Sequence, residues 1–309
     1  MWIGIDVGGT SVKAGLVAGD DQVRERQSRP VGDRRSPDDI LRLLQEIVSD
    51  LSASCSDIQG VGLAAPGVID KASGVIRQSP NFPDWRDVAL GSALARETGL
   101  QVSLENDVNA IAWAEHQLGA GAGSVSMVCI ALGTGVGGGM ILDGALWRGA
   151  RGMAGELGHV TVATEGRSCP CGNLDCLEQY VGAVGIRRSL VQHGGRYAEL
   201  AESRDAPRQL GALARAGDPV ALDVFRGVGA HLGRAVTTYL HVLDVDRVVI
   251  CGGIAAELDL FIDTVEKTVR AHSYAAMAAG MEVVSGALRG RAGILGAALV
   301  GMEGLERQH

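Results

Sequence analysis

No run of apolar residues in this 309-residue chain is long enough to span a bilayer; the longest, at residues 125–132 and 248–251, have the length of strands. Positive charge is in deficit as well. The 28 basic and 36 acidic side chains give a net charge of −8, whereas binding to nucleic acid needs a basic face that displaces counterions from phosphates. Local clusters such as Arg34-Arg35 are too short to reverse that balance. Residues 1–6 lead directly into a strand-like segment, without the basic and long apolar regions of a secretory signal. Low-complexity sequence is absent. The expectation is a cytoplasmic protein with neither a membrane nor a nucleic-acid partner.

Hydrophobic residues make up 46% of the chain, too many for a disordered protein. The length lies where a single core tends to split, so two lobes with a cleft between them are expected. Residues 1–7 and 12–17 read as the two strands of a hairpin around Gly8-Gly9-Thr10, with a third strand at 21–28. Apolar residues at 40, 43, 44, 47, 48 and 51 mark one face of a helix over 37–51, capped by Ser36 or Asp38. A buried strand at 59–65 stops at Pro66-Gly67; a helix at 88–98, a strand at 102–105 and a helix at 108–118 follow. The pattern then restarts. A strand at 125–131, a glycine turn at 133–139 and a return strand at 140–142 precede a long helix at 220–243, a buried strand at 247–250 and a helix at 258–272. Residues 119–123 and 202–208 read as exposed connections. This coarse duplication predicts two similar α/β lobes: a small one at 1–108 with a C-terminal helix at about 292–309, and a large one at 109–291.

Four motifs carry chemistry. In the first, Gly8 and Gly9 let backbone amides approach an anion, the Thr10 hydroxyl can donate to a phosphate oxygen, Asp6 can hold Mg²⁺, and Lys13 adds positive charge. The plain alternative is a tight hairpin with a solvated aspartate. The second, Gly133-Thr134-Gly135-Val136-Gly137-Gly138-Gly139, has five glycines, more than a turn requires. Each ordered glycine costs roughly 0.5–1 kcal/mol against alanine, so this loop is expected to meet a ligand backbone-first. It matches neither a P-loop nor a dinucleotide fingerprint. Two such hairpins in one chain suggest ATP held between them.

The third motif, Glu105-Asn106-Asp107-Val108-Asn109, lies at a strand-to-helix junction. A carboxylate there is either a helix cap or the base of a phosphoryl transfer, which needs orientation more than basicity. The fourth is the most specific: His159 with Cys169, Cys171 and Cys176, three of the six cysteines. Three thiolates and an imidazole close a tetrahedral structural Zn²⁺ site, which would order a loop with few apolar residues of its own. Glu156 lies three residues before His159, on one face if the backbone is helical, and Glu178 follows soon after Cys176.

In this order and at these separations, the motifs, with Gly155-Glu156-Leu157-Gly158-His159 and the segments 248–254 and 290–299, resemble the ROK family of sugar kinases and sugar-responsive repressors. Within it the chain looks most like the bacterial ATP-dependent glucokinases. The resemblance implies an actin-like, hexokinase-type ATPase fold of two ribonuclease-H-like lobes that close on the sugar. It implies Asp107 as catalytic base and Asn106, Glu156, His159 and Glu178 as ligands of sugar hydroxyls. Gly67 and Asn81 would line the sugar pocket from the small lobe, and Gly252-Gly253 would cover the adenosine. Together with Asp6, Gly8, Gly9, Thr10, Lys13, Gly133, Thr134, Gly135 and Gly137, these two glycines form the expected nucleotide site. His159 would ligate zinc through one ring nitrogen and a sugar hydroxyl through the other. A homodimer or homotetramer is implied too. Two positions depart from the family pattern: Asp175 stands where a glycine usually precedes the last cysteine, and Cys251 where the adenosine segment often has another.

The implied reaction is ATP-dependent phosphorylation of a hexose at its 6-hydroxyl, foremost glucose. Fructose, mannose, N-acetylglucosamine and N-acetylmannosamine are the alternative acceptors, and polyphosphate an alternative donor. A rival from another class is a sugar-sensing repressor; those of the family carry a DNA-binding helix-turn-helix ahead of the first phosphate motif, which here begins at Asp6. A sugar sensor without catalysis would be favoured by loss of Asp107 or of the phosphate glycines, all of which are present.

Overall fold

A computed structural model describes residues 1–306 apart from Asp20, Arg34 and Ala72. Arg34 of the basic pair, and the 307–309 end of the expected terminal helix, therefore lie outside the described residues. The chain divides into two compact units: Met1–Ala122, Leu146–Gly155 and Leu288–His309 form the first, and Gly123–Ala145 and Glu156–Ala287 the second.

In unit 1, β1 (Trp2–Val7), β2 (Ser11–Val17) and β3 (Val23–Pro30) run antiparallel, and α1 (Pro37–Ser54) follows. The face of α1 marked by its apolar spacing is the one buried, through Ile40, Leu44, Ile47, Val48 and Leu51. Its cap is Ser36, whose hydroxyl accepts the Asp39 amide at 3.2 Å. Next come β4 (Gly60–Ala65), buried throughout, and a three-stranded antiparallel sheet of β5 (Val68–Asp70), β6 (Val75–Gln78) and β7 (Arg86–Val88). Sequence periodicity had not marked this small sheet, because its strands are too short to show alternation. The unit continues with α2 (Leu90–Thr98), β8 (Val102–Asn106) and α3 (Asp107–Leu118).

Unit 2 opens with β9 (Met127–Leu132) and β10 (Val136–Leu142), and β11 (Ala145–Leu146) follows where the chain passes back to unit 1. The helices α4 (Glu178–Val181), α5 (Ala183–His193), α6 (Gly195–Ala201), α7 (Ala206–Arg215) and α8 (Pro219–Leu243) precede β12 (Arg247–Cys251). A 3₁₀ turn over Gly253–Leu260, α9 (Ile262–His272), α10 (Ala275–Ala279) and β13 (Glu282–Ser285) complete it, and α11 (Ala292–Glu306) returns to unit 1.

The two large sheets share one plan. Their orders are β3-β2-β1-β4-β8 and β11-β10-β9-β12-β13, with an antiparallel hairpin in the middle followed by parallel strands. The duplication read from the sequence is thus a duplication of topology. One detail differs from expectation. Gly137, Gly138 and Gly139 are not turn residues but strand residues of β10, paired with Ala131, Ile130 and Cys129, so the turn is only residues 133–135. The helix expected over 258–272 is likewise divided, its first part being 3₁₀. Among the described residues no helix is long and apolar enough to cross a membrane.

Candidate active site

In unit 1, two segments bring polar groups to one end of the sheet. The β1–β2 hairpin is closed by the Gly8 amide donating to the Ser11 carbonyl at 3.0 Å, and Asp6 stands opposite Lys13 in the register. Burial pushes the Asp6 carboxyl up, and Lys13 holds it partly back. Asn81 reaches this hairpin: a Cβ on Gly9 would lie 2.9 Å from its Nδ2. Thr10 is exposed at the tip.

The second segment is the β8–α3 junction. Asn106 is the cap of α3, its Oδ1 accepting the amides of Val108 at 2.9 Å and Asn109 at 3.0 Å, while its Nδ2 donates to the Gly67 carbonyl at 3.1 Å. Gly67 has φ +126°, and a Cβ there would meet the Gln78 carbonyl at 2.2 Å, so only glycine fits. Asp107 is the first residue of α3, half-buried, with Oδ1 3.0 Å from the Val108 amide. The capping expected of an aspartate is therefore shared: Asn106 does most of it, and Asp107 is set at the rigid helix start.

The ion pairing of Glu105 at this junction was not foreseen. Glu105, only 4% exposed in its side chain, accepts Lys71 Nζ at 3.1 Å and Arg148 Nε at 2.7 Å on one oxygen. Its other oxygen accepts the Asn106 amide at 3.1 Å and Asn109 Nδ2 at 3.2 Å. Burial works against ionisation of Glu105, but the two cations outweigh it and hold the carboxyl below its ordinary range. Its place beside Asn106 and Asp107 at the strand-to-helix junction was the signal in the sequence; its partners lie 34 and 43 residues away and were not.

In unit 2 the second hairpin turns over residues 133–135, where the Gly133 amide donates to the Gly135 carbonyl at 2.9 Å. Glu178, the first residue of α4, accepts the Val136 amide at 3.0 Å. A Cβ on Gly135 would fall 2.2 Å from that carboxylate, so glycine is what lets Glu178 dock on the turn. The Ala183 amide at the start of α5 binds the Gly133 carbonyl at 2.9 Å, tying the turn to two helices. Thr134 is exposed, and Gly137 lies in β10 beyond the turn. Gly252, with φ +88°, and Gly253 are exposed where β12 ends beside β9.

The Cys/His group lies in the same unit. Donor atoms of His159, Cys169, Cys171 and Cys176 are all within 4.8 Å of one another. His159 Nδ1 is 3.5 Å from Cys169 Sγ, and the Cys171 and Cys176 sulfurs are 3.6 Å apart. A tetrahedral ion with bonds of roughly 2.0–2.3 Å needs ligand separations of about 3.5–3.8 Å, so the donors fit one cation. Burial drives the Cys176 thiol up to about 12 and raises Cys169, while hydrogen bonding from the Asn173 backbone draws the exposed Cys171 down. Binding a cation as thiolates reverses those rises. Glu156 caps the 3₁₀ turn Leu157–His159, and its Oε2 is 3.8 Å from His159 Nε2, so the two ring nitrogens face different partners.

Asp175, the departure from the family pattern, does have a positive φ of 55°. Its carboxylate repays this by accepting the amides of Gly166 and Arg167, each at 2.8 Å, and the Tyr180 hydroxyl. The Tyr180 bond leads in holding the Asp175 carboxyl below its usual range. Arg167 stacks 4.0 Å above the Tyr180 ring and donates to the Gln179 carbonyl at 3.1 Å. The cysteine loop is thereby fastened to α4, which carries Glu178. The other departure, Cys251, is buried with its sulfur 3.6 Å from Cys129.

The expected residues thus fall into two groups. Asp6, Gly8, Gly9, Thr10, Lys13, Gly67, Asn81, Asn106 and Asp107 belong to unit 1; Gly133, Thr134, Gly135, Gly137, Glu156, His159, Glu178, Gly252, Gly253 and the three cysteines belong to unit 2. Known proteins are similar to this chain over almost its whole length. A glucokinase of Thermotoga maritima is 38% identical over 306 residues, covering 96% of each chain. The crystal structure of a ROK family glucokinase from Streptomyces griseus, in complex with glucose and AMPPNP, superposes with a TM-score of 0.81 at 32% identity, covering 97% of this chain and 99% of that one. A ROK hexokinase from Thermus thermophilus gives 0.83 at 30% identity, covering 99% of both. The family model described as ROK matches residues 2–303, and with that match spanning both units and all four motifs, the chain belongs to the ROK family.

Proposed function

We propose that this protein transfers the γ-phosphoryl group of ATP to the 6-hydroxyl of glucose, with Asp107 as the base. The observation that carries the reading is the β8–α3 junction: a carboxylate fixed at a helix start beside an asparagine that is itself bound to Gly67. Relatives named glucokinases at 31–38% identity, and the S. griseus kinase bound to glucose and AMPPNP, support glucose as acceptor and ATP as donor.

In the reaction the sugar O6 bonds to the γ-phosphorus as the bond from that phosphorus to the bridging oxygen breaks, leaving ADP, and Asp107 takes the hydroxyl proton. Proton transfer comes late in a loose transition state, so orientation of the carboxylate matters more than a high pKa. Gly67, Asn81, Asn106, Glu156, His159 and Glu178 are the proposed ligands of the remaining hydroxyls. Amides of the Gly8-Gly9 and Gly133-Thr134-Gly135 turns hold phosphate oxygens, helped by Thr10 and Lys13. Gly137 supports the second turn from β10, and Gly252-Gly253 covers the adenosine. Asp6 suits Mg²⁺, since burial raises its carboxyl beyond what Lys13 offsets, a cation would relieve that penalty, and Mg²⁺ accepts one carboxylate with waters and phosphates. That ion supplies charge neutralisation on the phosphates.

For the Cys₃His group, zinc is the metal that thiolate and imidazole donors in a closed tetrahedron favour, and its contribution is structural. Nδ1 of His159 would hold it, leaving Nε2 for a sugar hydroxyl. Glu178 touches the phosphate-type turn directly, so the loop that holds zinc also sets one wall of the nucleotide site. ATP as donor agrees with a cytoplasmic reaction.

The test is ADP release with MgATP against glucose, mannose, fructose, N-acetylglucosamine and N-acetylmannosamine. Glucose is expected to give the highest kcat/KM. A higher value for another sugar would move the assignment to that acceptor, and no turnover above the sugar-free background would remove the kinase reading.

A further inference from the structure

We infer that Glu105, held by Lys71 and Arg148, is a positioning residue for phosphoryl transfer: it acts through Asn106 and Asp107 and touches no substrate. The inference rests on the proposed role of Asp107. Four charged side chains meet behind the base. Lys71 and Arg148 share one oxygen of Glu105, and Arg148 Nη2 also lies 3.6 Å from Glu303 Oε2 on α11. The formal charges of the four sum to zero, the condition under which charges with little exposure are tolerated.

The geometry of Glu105 explains what this cluster does. Every acceptor direction of the carboxylate is used: two cations on Oε2, and on Oε1 the Asn106 amide and the Asn109 side chain. Asn106 caps α3 just before Asp107 and Asn109 lies on its first turn just after, so fixing both fixes the backbone that carries the base. The cations come from elsewhere in the unit. Lys71 follows β5, the strand that starts just after Gly67, whose carbonyl binds Asn106; Arg148 comes from the segment Leu146–Gly155 that ends next to Glu156. Glu105 therefore ties two separate stretches of chain to the junction. Its burial removes it from direct acid–base work, and its pairing with two cations makes it a fixed anchor. A base misplaced by about 1 Å can cost on the order of 10²-fold in rate, the scale of effect such an anchor controls.

The experiment compares Glu105→Gln, Lys71→Met and the double variant, each in the parent and in an Asp107→Asn background. Steady-state kinetics are read beside glucose affinity by calorimetry and Tm. Expected for Glu105→Gln is a fall in kcat of roughly 30–100-fold, with glucose affinity and KM for ATP within about 3-fold of the parent. In the Asp107→Asn background the same change should cost almost nothing, because the group it positions is already gone. The double variant should recover part of the kcat lost by Glu105→Gln, since the Lys71 charge no longer lacks its partner; it also serves if Glu105→Gln alone fails to fold. A kcat within 3-fold of the parent overturns the inference. So does a loss shared equally by Tm and glucose affinity, or one that multiplies fully with Asp107→Asn. A parental kcat in Asp107→Asn alone is a different failure, which removes Asp107 as the base and the inference with it.

Discussion

The two units solve the same problem with different means. Each must hold a carboxylate at the start of a helix: Asp107 as the first residue of α3 in unit 1, Glu178 as the first residue of α4 in unit 2. Unit 1 anchors its junction with ion pairs and amide bonds around Glu105, on strands whose core is already complete. Unit 2 anchors its own through a loop with few buried apolar residues, fastened by Asp175 with Tyr180 and Arg167 and, in the proposed reading, by a metal on the Cys₃His group. A junction built on a finished sheet needs only local charge balance, whereas one built on a poorly packed loop needs a cross-link. Damage to the first should appear in kcat with the fold intact, and damage to the second in sugar affinity and stability together.

The largest effect expected is from Asp107→Asn in unit 1. It should lower kcat by about 10²–10⁴-fold, the usual share of a general base, while calorimetry still detects glucose binding. Loss of glucose binding in step with kcat would erase the contrast between the units. In unit 2, Cys171→Ser should reduce bound zinc, measured by a chelating dye after denaturation, and weaken glucose affinity by about 10–100-fold, with a lower Tm. Unchanged metal content in that variant would remove Cys171 from the ligand set.

Asp175→Gly restores the residue usual in the family and sharpens the comparison further. Glycine relieves the positive φ but leaves two backbone amides and the Tyr180 hydroxyl without their acceptor, and the unpaired donors should win. The expected result is faster loss of zinc to a chelator and a Tm lower by a few degrees; equal or slower loss would show that Asp175 does not fasten the loop. The smallest effect is on pH dependence. Lys71 and Arg148 depress the Glu105 carboxyl, so its contribution to stability is complete above the unfolded glutamate value of about 4.3 and is lost as pH falls through its lower folded value. The Tm difference between the parent and Glu105→Gln should therefore narrow on acidification below that range, and a difference that stays constant would separate Glu105 from acid unfolding.

Much of this could be read from the amino acids in order. The doubled plan of hairpin, parallel strands and helices shows in apolar spacing, because a strand or helix writes its period into neighbouring residues. The Cys₃His group and the Glu105-Asn106-Asp107 junction were legible for the same reason, as chemistry concentrated within a few residues. Gly137, Gly138 and Gly139 were misread as turn because local propensity disfavours glycine in strands, and only pairing with β9 places them there.

What tertiary structure alone decided is which distant groups meet. Glu105 is visible in the sequence as a carboxylate at a strand-to-helix junction, but its neutralisation depends on Lys71 and Arg148, brought in from 34 and 43 residues away. Asp175 is visible as an exception, but its acceptance of the Gly166 and Arg167 amides becomes evident only when the loop is closed. The sequence by itself determined the elements and the reactive residues, since these depend on local period and side-chain chemistry. Folding decided which buried charges are paired and which exceptions are useful, since a buried group's energy depends on the neighbours that packing brings to it.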